Sequence, residues 1–231
     1  MSVTSLLGSF ALMALGTSIA HAGTVTATLT ADNHYGLYYG QADGSGLTLV
    51  GRNEFGSNGN PGEYNWSLPE TYNFQANSGD YLYVVAWDDG GPQSWLGQFT
   101  LPDNTTLFSN TTDWEYSIGS GQNPGTLGNL PTSTTLVSDI TSATWLTPLA
   151  SVPNTGSNGI WGAIPGISAS ANFIWTDDFN STATDNNYVI FRTKAPLVAI
   201  PESQPITLVS LVVAGLSVQM VQMVKHKFKA P

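Results

Sequence analysis

The sequence predicts an all-β sandwich domain. Charged residues make up only 10% of the 231 residues, and the helix formers Lys, Glu and Arg are scarce before the far C-terminus. Gly, Ser, Thr and Asn dominate the connections between short alternating or aromatic-rich segments. This combination is typical of strands joined by many turns, and 231 residues can bury a core of ordinary size.

The segment Tyr81–Trp87 is predicted to be the central strand. Its sequence, YLYVVAW, is rich in aromatic residues and valine and lies between two runs of turn-forming residues. Alternation puts an aliphatic set, Leu82, Val84 and Ala86, on the face expected to meet the core. The opposite face either packs under a neighbouring segment or lies open as a platform. It carries Tyr81, Tyr83, Val85 and Trp87.

The other strands are predicted from alternation and flanking turns. An alternating strand is predicted over residues 24–30, and a second strand over residues 34–39. Asp43-Gly44-Ser45-Gly46 predicts a hairpin loop, which leads into a returning strand over residues 47–50. Residues 66–74 lead into the central strand, and residues 95–99 resume the strand pattern after its turn; Trp114 and Trp175 also lie in strand patterns. Surface loops are expected at the Gly-, Pro- and Asn-rich segments 53–63, 119–131 and 148–166.

Charge and cysteine content exclude several classes of function. The formal net charge is −10 and there is no cysteine, so disulfides, thiol chemistry and cysteine-ligated metals are excluded. Three of the six basic residues lie in the last seven positions, which leaves the remainder strongly acidic. Nucleic acid is therefore not expected as a partner. An acidic surface can instead recruit divalent cations.

The N-terminus predicts export. Residues 6–19 form an apolar run that is followed by Ala20-His21-Ala22, a small-x-small site of the kind that signal peptidase cleaves. Residues 1–22 are therefore predicted to be a secretory signal peptide, with Gly23 as the mature N-terminus. An exported domain without disulfides fits a bacterial envelope.

The composition changes after the domain expected over residues 23–195. In the tail, residues 196–231, the segment 206–224 has no charged residue and is long enough to span a bilayer core. It is predicted to be a transmembrane helix, with Lys225, Lys227 and Lys229 as its cytoplasmic anchor. A plain single-pass anchor and a GPI signal are the alternatives for this tail.

Two stretches carry family resemblances. The segments TADNHYGLYYG and PETYNFQANSGDYLYVVAWDDGGPQSWLGQF are similar to galactose-binding-like jelly-roll domains. The tail resembles the PEP-CTERM sorting signal, with Pro201, Glu202 and Ser203 at its motif; Ser203 stands where the family has its second proline. These resemblances imply a jelly-roll β-sandwich that is held in the cytoplasmic membrane before an exosortase-like sorting protease releases it.

Catalytic motifs are scarce. His34 is the one histidine of the predicted domain, so a Ser-His-Asp triad would have to use it, and a lone histidine is expected to be structural. No P-loop or dinucleotide-binding glycine motif is present. The glutamates before the tail show no spacing that pairs two acids around a bond. They are Glu54, Glu63, Glu70 and Glu115.

Two kinds of candidate binding residue remain. Asp88-Asp89 and Asp177-Asp178 are either tight turns or calcium ligands, because carboxylate oxygens are the hard donors that calcium prefers. Trp66, Trp95 and Trp161 lie near predicted turns, where they either stack on a sugar ring or fill the ends of the sandwich.

We therefore expect a non-catalytic protein of the cell envelope or extracellular matrix. Its domain would bind an extracellular polysaccharide or another envelope polymer, with no cofactor other than calcium. A purely structural surface protein without a specific ligand is the first alternative. A polysaccharide hydrolase is the second.

Overall fold

The computed structural model describes residues 23–53, 65–125, 129–157, 159–180 and 182–198. These residues form two antiparallel β-sheets and one α-helix, which is consistent with the predicted β-sandwich. The helix α1 spans Ser133–Ser142, and a short 3₁₀ helix spans Thr182–Thr184. The strands are β1 Gly23–Asp32, β2 His34–Gly40, β3 Thr48–Arg52, β4 Glu70–Ala76, β5 Tyr81–Trp87, β6 Ser94–Thr100, β7 Thr106–Phe108, β8 Trp114–Gln122, β9 Ala150–Pro153, β10 Asn172–Trp175 and β11 Asn187–Thr193.

The two sheets have different strand orders. The first sheet runs β4-β1-β6-β10-β9, and β7 also pairs with β6; the second runs β3-β2-β5-β11-β8. Strand β5 is the third of five in the second sheet, with β2 and β11 as antiparallel neighbours. The prediction that Tyr81–Trp87 is a central strand is therefore confirmed.

The inner face of β5 supplies the core between the sheets. Leu82, Val84 and Ala86 are fully buried and belong to one apolar cluster with Val25 and Leu29 of the opposite sheet. Alternation had assigned this aliphatic face to the core, and the structure confirms the assignment.

The outer, aromatic face of β5 belongs to a second apolar cluster, to which helix α1 contributes. Tyr83 and Trp87 are fully buried in the cluster, and it also includes Leu136 and Ile140, which lie one turn apart on the helix. The sequence left open whether this face packs under a neighbouring segment or lies open as a platform, and the structure shows that it is packed. The sequence prediction did not include this helix, because its Ser- and Thr-rich segment has low helix propensity. Thr132 caps its N-terminus, where the hydroxyl accepts from the Thr135 N–H at 3.2 Å.

Two predicted loops contain strands. Strand β8 continues to Gln122, into the segment expected to be a loop, because its glycines let the backbone approach a neighbouring ring. A Cβ at Gly119 would lie 2.1 Å from Cε2 of Tyr188, so a side chain is excluded there. The prediction that 148–166 is entirely loop is also wrong, since Ala150–Pro153 pairs with β10.

Several predictions fall outside the described residues. They concern the signal peptide 1–22, the span 206–224, the motif Pro201, Glu202 and Ser203, and the basic cluster Lys225, Lys227 and Lys229. Within the described ranges, no helix is long and apolar enough to cross a membrane.

Candidate ligand-binding cleft

A polar cleft lies at one end of the sandwich, where β5 ends and β11 begins. Its volume is about 330 Å³. The β5–β6 turn forms one wall, the segment after β8 forms the second, and the turn before β11 forms the third. The lining residues are Asp88, Asp89, Gly90, Asn123, Gly125 and Asp185.

The Asp88-Asp89-Gly90-Gly91 run forms a tight turn. The Gly90 N–H donates to Asp88 Oδ2 at 2.8 Å, and Gly90 and Gly91 have φ values of 108° and 90°. An L residue with a Cβ rarely adopts these values, so the two glycines are required by the backbone. The predicted turn is confirmed, and it leaves the other oxygen of Asp88 outside this local hydrogen bond.

Asp89 is held by Asn33, which joins β1 to β2, and by His34, the first residue of β2. Its backbone N–H donates to Asn33 Oδ1 at 2.6 Å, and its Oδ2 lies 3.0 Å from His34 Nε2. His34 is fully buried and stacks on Trp87 with ring centroids 5.2 Å apart. The histidine therefore anchors the turn to the sheet and is not presented to a substrate at the surface.

Asn123 fixes the three walls relative to one another. Its Nδ2 donates to the backbone oxygen of Asp88 at 2.6 Å and to that of Asp185 at 2.9 Å. Its Oδ1 accepts from the Gly125 N–H at 2.9 Å. Trp87 adds a fourth tie, because its Nε1 donates to the Gly125 oxygen at 3.1 Å. The cleft is thus held by side-chain bonds to backbone groups from three separate segments.

The electrostatics of the cleft centre on Asp88. Its side chain is only 4% exposed, and burial raises the pKa of the carboxyl to about 6. The carboxylates of Asp185 and Asp32 raise it further, and the bond from Gly90 acts in the opposite direction. Behind the cleft, burial also raises the pKa of Asp32, although the bond from Trp161 opposes this effect.

Two of the three candidate tryptophans are buried. Trp95 is fully buried against Trp114, with ring centroids 4.7 Å apart, and Trp161 is 3% exposed and stacks on Phe173 at 4.7 Å. The interpretation of these two indoles as exposed sugar platforms is therefore wrong, because their faces are occupied by other rings. Trp95 and Trp161 instead fill the interior of the sandwich, which was the alternative interpretation. Trp66 remains partly exposed, and its backbone oxygen accepts from Thr30 Oγ1 at 2.9 Å.

The second acidic pair lies in a turn outside the cleft lining. Asp177 Oδ1 accepts from the Asp178 N–H at 2.9 Å, and Asp178 Oδ1 accepts from the Asn180 N–H at 3.0 Å. These local bonds are the turn chemistry that the sequence offered as the alternative to calcium. No group of three or more His, Asp or Glu side chains in the described part of the chain is arranged to hold a metal ion.

Sequence reasoning missed Asn123 and Asp185. Both stand in polar turn-like segments, Asn-Pro-Gly and Asp-Asn-Asn, which resemble other turns in this chain. Their importance arises because β11 lies between β5 and β8 in the sheet order.

Comparison of the chain with protein-family models, curated proteins and solved structures finds no match.

Proposed function

We propose that this protein is an exported, non-catalytic protein of the cell surface or matrix whose β-sandwich domain binds a carbohydrate or another hydroxyl-rich envelope polymer. The observation that carries the proposal is the cleft lined by Asp88, Asp89, Asn123 and Asp185. It is concave, its volume lies at the low end of the range of small-ligand sites, and its walls are held rigidly by side-chain bonds.

The residue types in the cleft suit hydroxyl groups. Carboxylate oxygens accept hydrogen bonds from sugar hydroxyls, and glycines let a ligand approach the backbone closely. Asp185 is exposed at the rim, where it can accept from a hydroxyl without a large desolvation cost. Calcium is the candidate cofactor, since all of these donors are hard oxygen ligands.

The remaining parts of the proposal come from the sequence. The jelly-roll assignment is supported by two antiparallel sheets in which many hydrogen-bonded neighbours are not consecutive in the chain. Export, retention in the cytoplasmic membrane and release by an exosortase-like protease are supported by residues 1–22 and by the tail from Pro201 to Lys229. The domain would then act on the outer surface or in the matrix.

A structural surface protein without a specific ligand is the second candidate. The burial of Trp95 and Trp161 favours it, because exposed aromatic platforms are a frequent means of binding sugars and these two rings serve the core instead.

A glycan array probed with the full chain tests the proposal, once in excess calcium and once in chelator. We expect binding to at least one polysaccharide. Asp185→Asn should weaken that binding by tenfold or more, the scale of a lost charge-assisted hydrogen bond. Asp103→Asn is the matched control, because Asp103 lies in an exposed turn at the opposite end of β6. A folded protein that binds no polysaccharide in either condition would establish the second candidate.

A further inference from the structure

The cleft contains a buried carboxylate oxygen that lacks a partner. Among the described residues, Asp88 Oδ1 is buried and has no hydrogen-bond partner, whereas Oδ2 accepts from Gly90. Burying an unpaired carboxylate oxygen costs free energy, which a native structure normally offsets with a proton, a donor or a metal ion. This oxygen therefore indicates a ligand that supplies positive charge.

The other charged groups around Asp88 do not supply that charge. On β2 and the adjoining turn, the His34 ring pairs with Asp89 at 3.0 Å. On β1, Asp32 accepts from Trp161 Nε1 at 2.8 Å and from Asn33 Nδ2 at 2.9 Å. On the facing wall, before β11, Asp185 adds a second negative charge. Asp88 and Asp185 thus form a pair of carboxylates that matches the charge of one divalent cation.

The geometry of the cleft keeps this pair together against its own repulsion. One amide group, Asn123 Nδ2, donates to the backbone oxygens of both Asp88 and Asp185. The backbones of both acids are therefore tied to the same side chain, although their carboxylates carry like charges. An arrangement that holds two like charges beside an open cleft is expected where a counter-ion binds between them.

We propose that the cleft binds one divalent cation, calcium by ligand type, between the carboxylates of Asp88 and Asp185. Calcium takes 6–8 oxygen ligands and accepts waters and carbonyl oxygens alongside a small number of carboxylates, so two acids together with waters in the cleft would supply its ligands. Asp89 is not a ligand, because it is committed to His34. The Asp177-Asp178 pair is not part of the site.

Isothermal titration calorimetry tests the proposal on the full chain, purified in mild detergent and freed of metal with chelator. The probe is calcium chloride alone, with no sugar present, so failure of the carbohydrate proposal does not affect the result. We expect one calcium per chain at pH 7.5, with a dissociation constant on the order of 10⁻⁴–10⁻³ M, as in extracellular modules.

Two variants and one control locate the site. Asp88→Asn and Asp185→Asn should each weaken calcium binding at least tenfold, whereas Asp103→Asn should leave it unchanged. Asp185 is exposed, so its variant stays folded even if substitution at the buried Asp88 perturbs the turn. Absence of saturable binding at about 10 mM calcium would overturn the proposal. Equal binding by Asp103→Asn and Asp185→Asn would overturn it as well.

Discussion

Replacing Asp88 by asparagine should stabilise the metal-free protein at neutral pH. The substitution keeps the shape of the side chain and an oxygen that accepts from Gly90, and it removes a buried negative charge that faces Asp185 and Asp32. Most substitutions of buried residues destabilise a protein, so a gain in stability is a distinctive expectation.

The magnitude follows from the pKa of the carboxyl. Its folded value of about 6, against an ordinary value of 3.8, corresponds to a destabilisation of up to about 3 kcal/mol when the group is ionised. Solvent in the open cleft screens part of this, so we expect about 1–3 kcal/mol. For a chain of this length that shifts the melting temperature by about 2–10 °C.

The sign of the pH dependence is fixed by the direction of the shift. Because the folded pKa lies above the unfolded one, the contribution of Asp88 to stability is fully present below about pH 4 and is lost as the pH rises through about 6. The Asn variant lacks this dependence. Its advantage over the unmodified protein should therefore be largest at pH 7.5 and close to zero at pH 4.

Thermal unfolding in chelator, at several values between pH 4 and 7.5, measures this difference. Asp103→Asn is the control for net charge, since hydrogen bonds from Thr105 lower the pKa of the Asp103 carboxyl and its removal brings no such gain. If Asp88→Asn melts at or below the temperature of the control at pH 7.5, or if its advantage persists unchanged at pH 4, the electrostatic account of the cleft is wrong.

Two further predictions concern helix α1 and the chain ends. Leu136→Ala should lower the free energy of unfolding by about 2–5 kcal/mol, because Leu136 is fully buried in the apolar cluster that contains the aromatic face of β5. Thr134 lies on the exposed side of α1, so Thr134→Ala should change the free energy of unfolding by less than about 0.5 kcal/mol. Urea titration of both variants measures the difference. If the chain is exported and sorted as proposed, mass spectrometry of the mature protein should find an N-terminus at Gly23 and a C-terminus near Ser203. An intact Pro231 in the membrane fraction would instead identify the tail as a permanent anchor.

Most strands could be predicted because their signals are local. In β5, alternation of Leu82, Val84 and Ala86 with aromatic residues fixes which side chains share a face, and the flanking glycines fix where the strand ends. Helix α1 has no comparable signal. Its stability comes from burying Leu136 and Ile140 on a sheet that is formed by distant segments, and that contribution is invisible in a sequence of low helix propensity.

The tryptophans show the same limit at the level of a site. The sequence near Trp95 indicates a strand end, which is compatible with an exposed indole. Its burial depends on Trp114 and Phe191, which reach it from the other sheet. The sequence was sufficient to predict the turn at Asp88-Asp89, but it was not sufficient to predict the cleft wall that faces this turn. Asn123 and Asp185 are 35 and 97 residues from Asp88, and only the strand order brings them together.

The charge distribution limits what this end of the domain can bind. Among the described cations, Arg192 pairs with Glu115 at 2.7 Å, Lys194 donates to the Thr111 oxygen at 3.2 Å, and Arg52 lies over the Trp87 ring at 5.6 Å. The cleft itself presents Asp88 and Asp185. A neutral polymer can approach it through hydroxyl hydrogen bonds, but a polymer that carries carboxylates or sulfates is repelled unless a divalent cation lies between the two acids and the ligand. We therefore expect the proposed cation site and the proposed carbohydrate site to be coupled, because both use the carboxylate of Asp185.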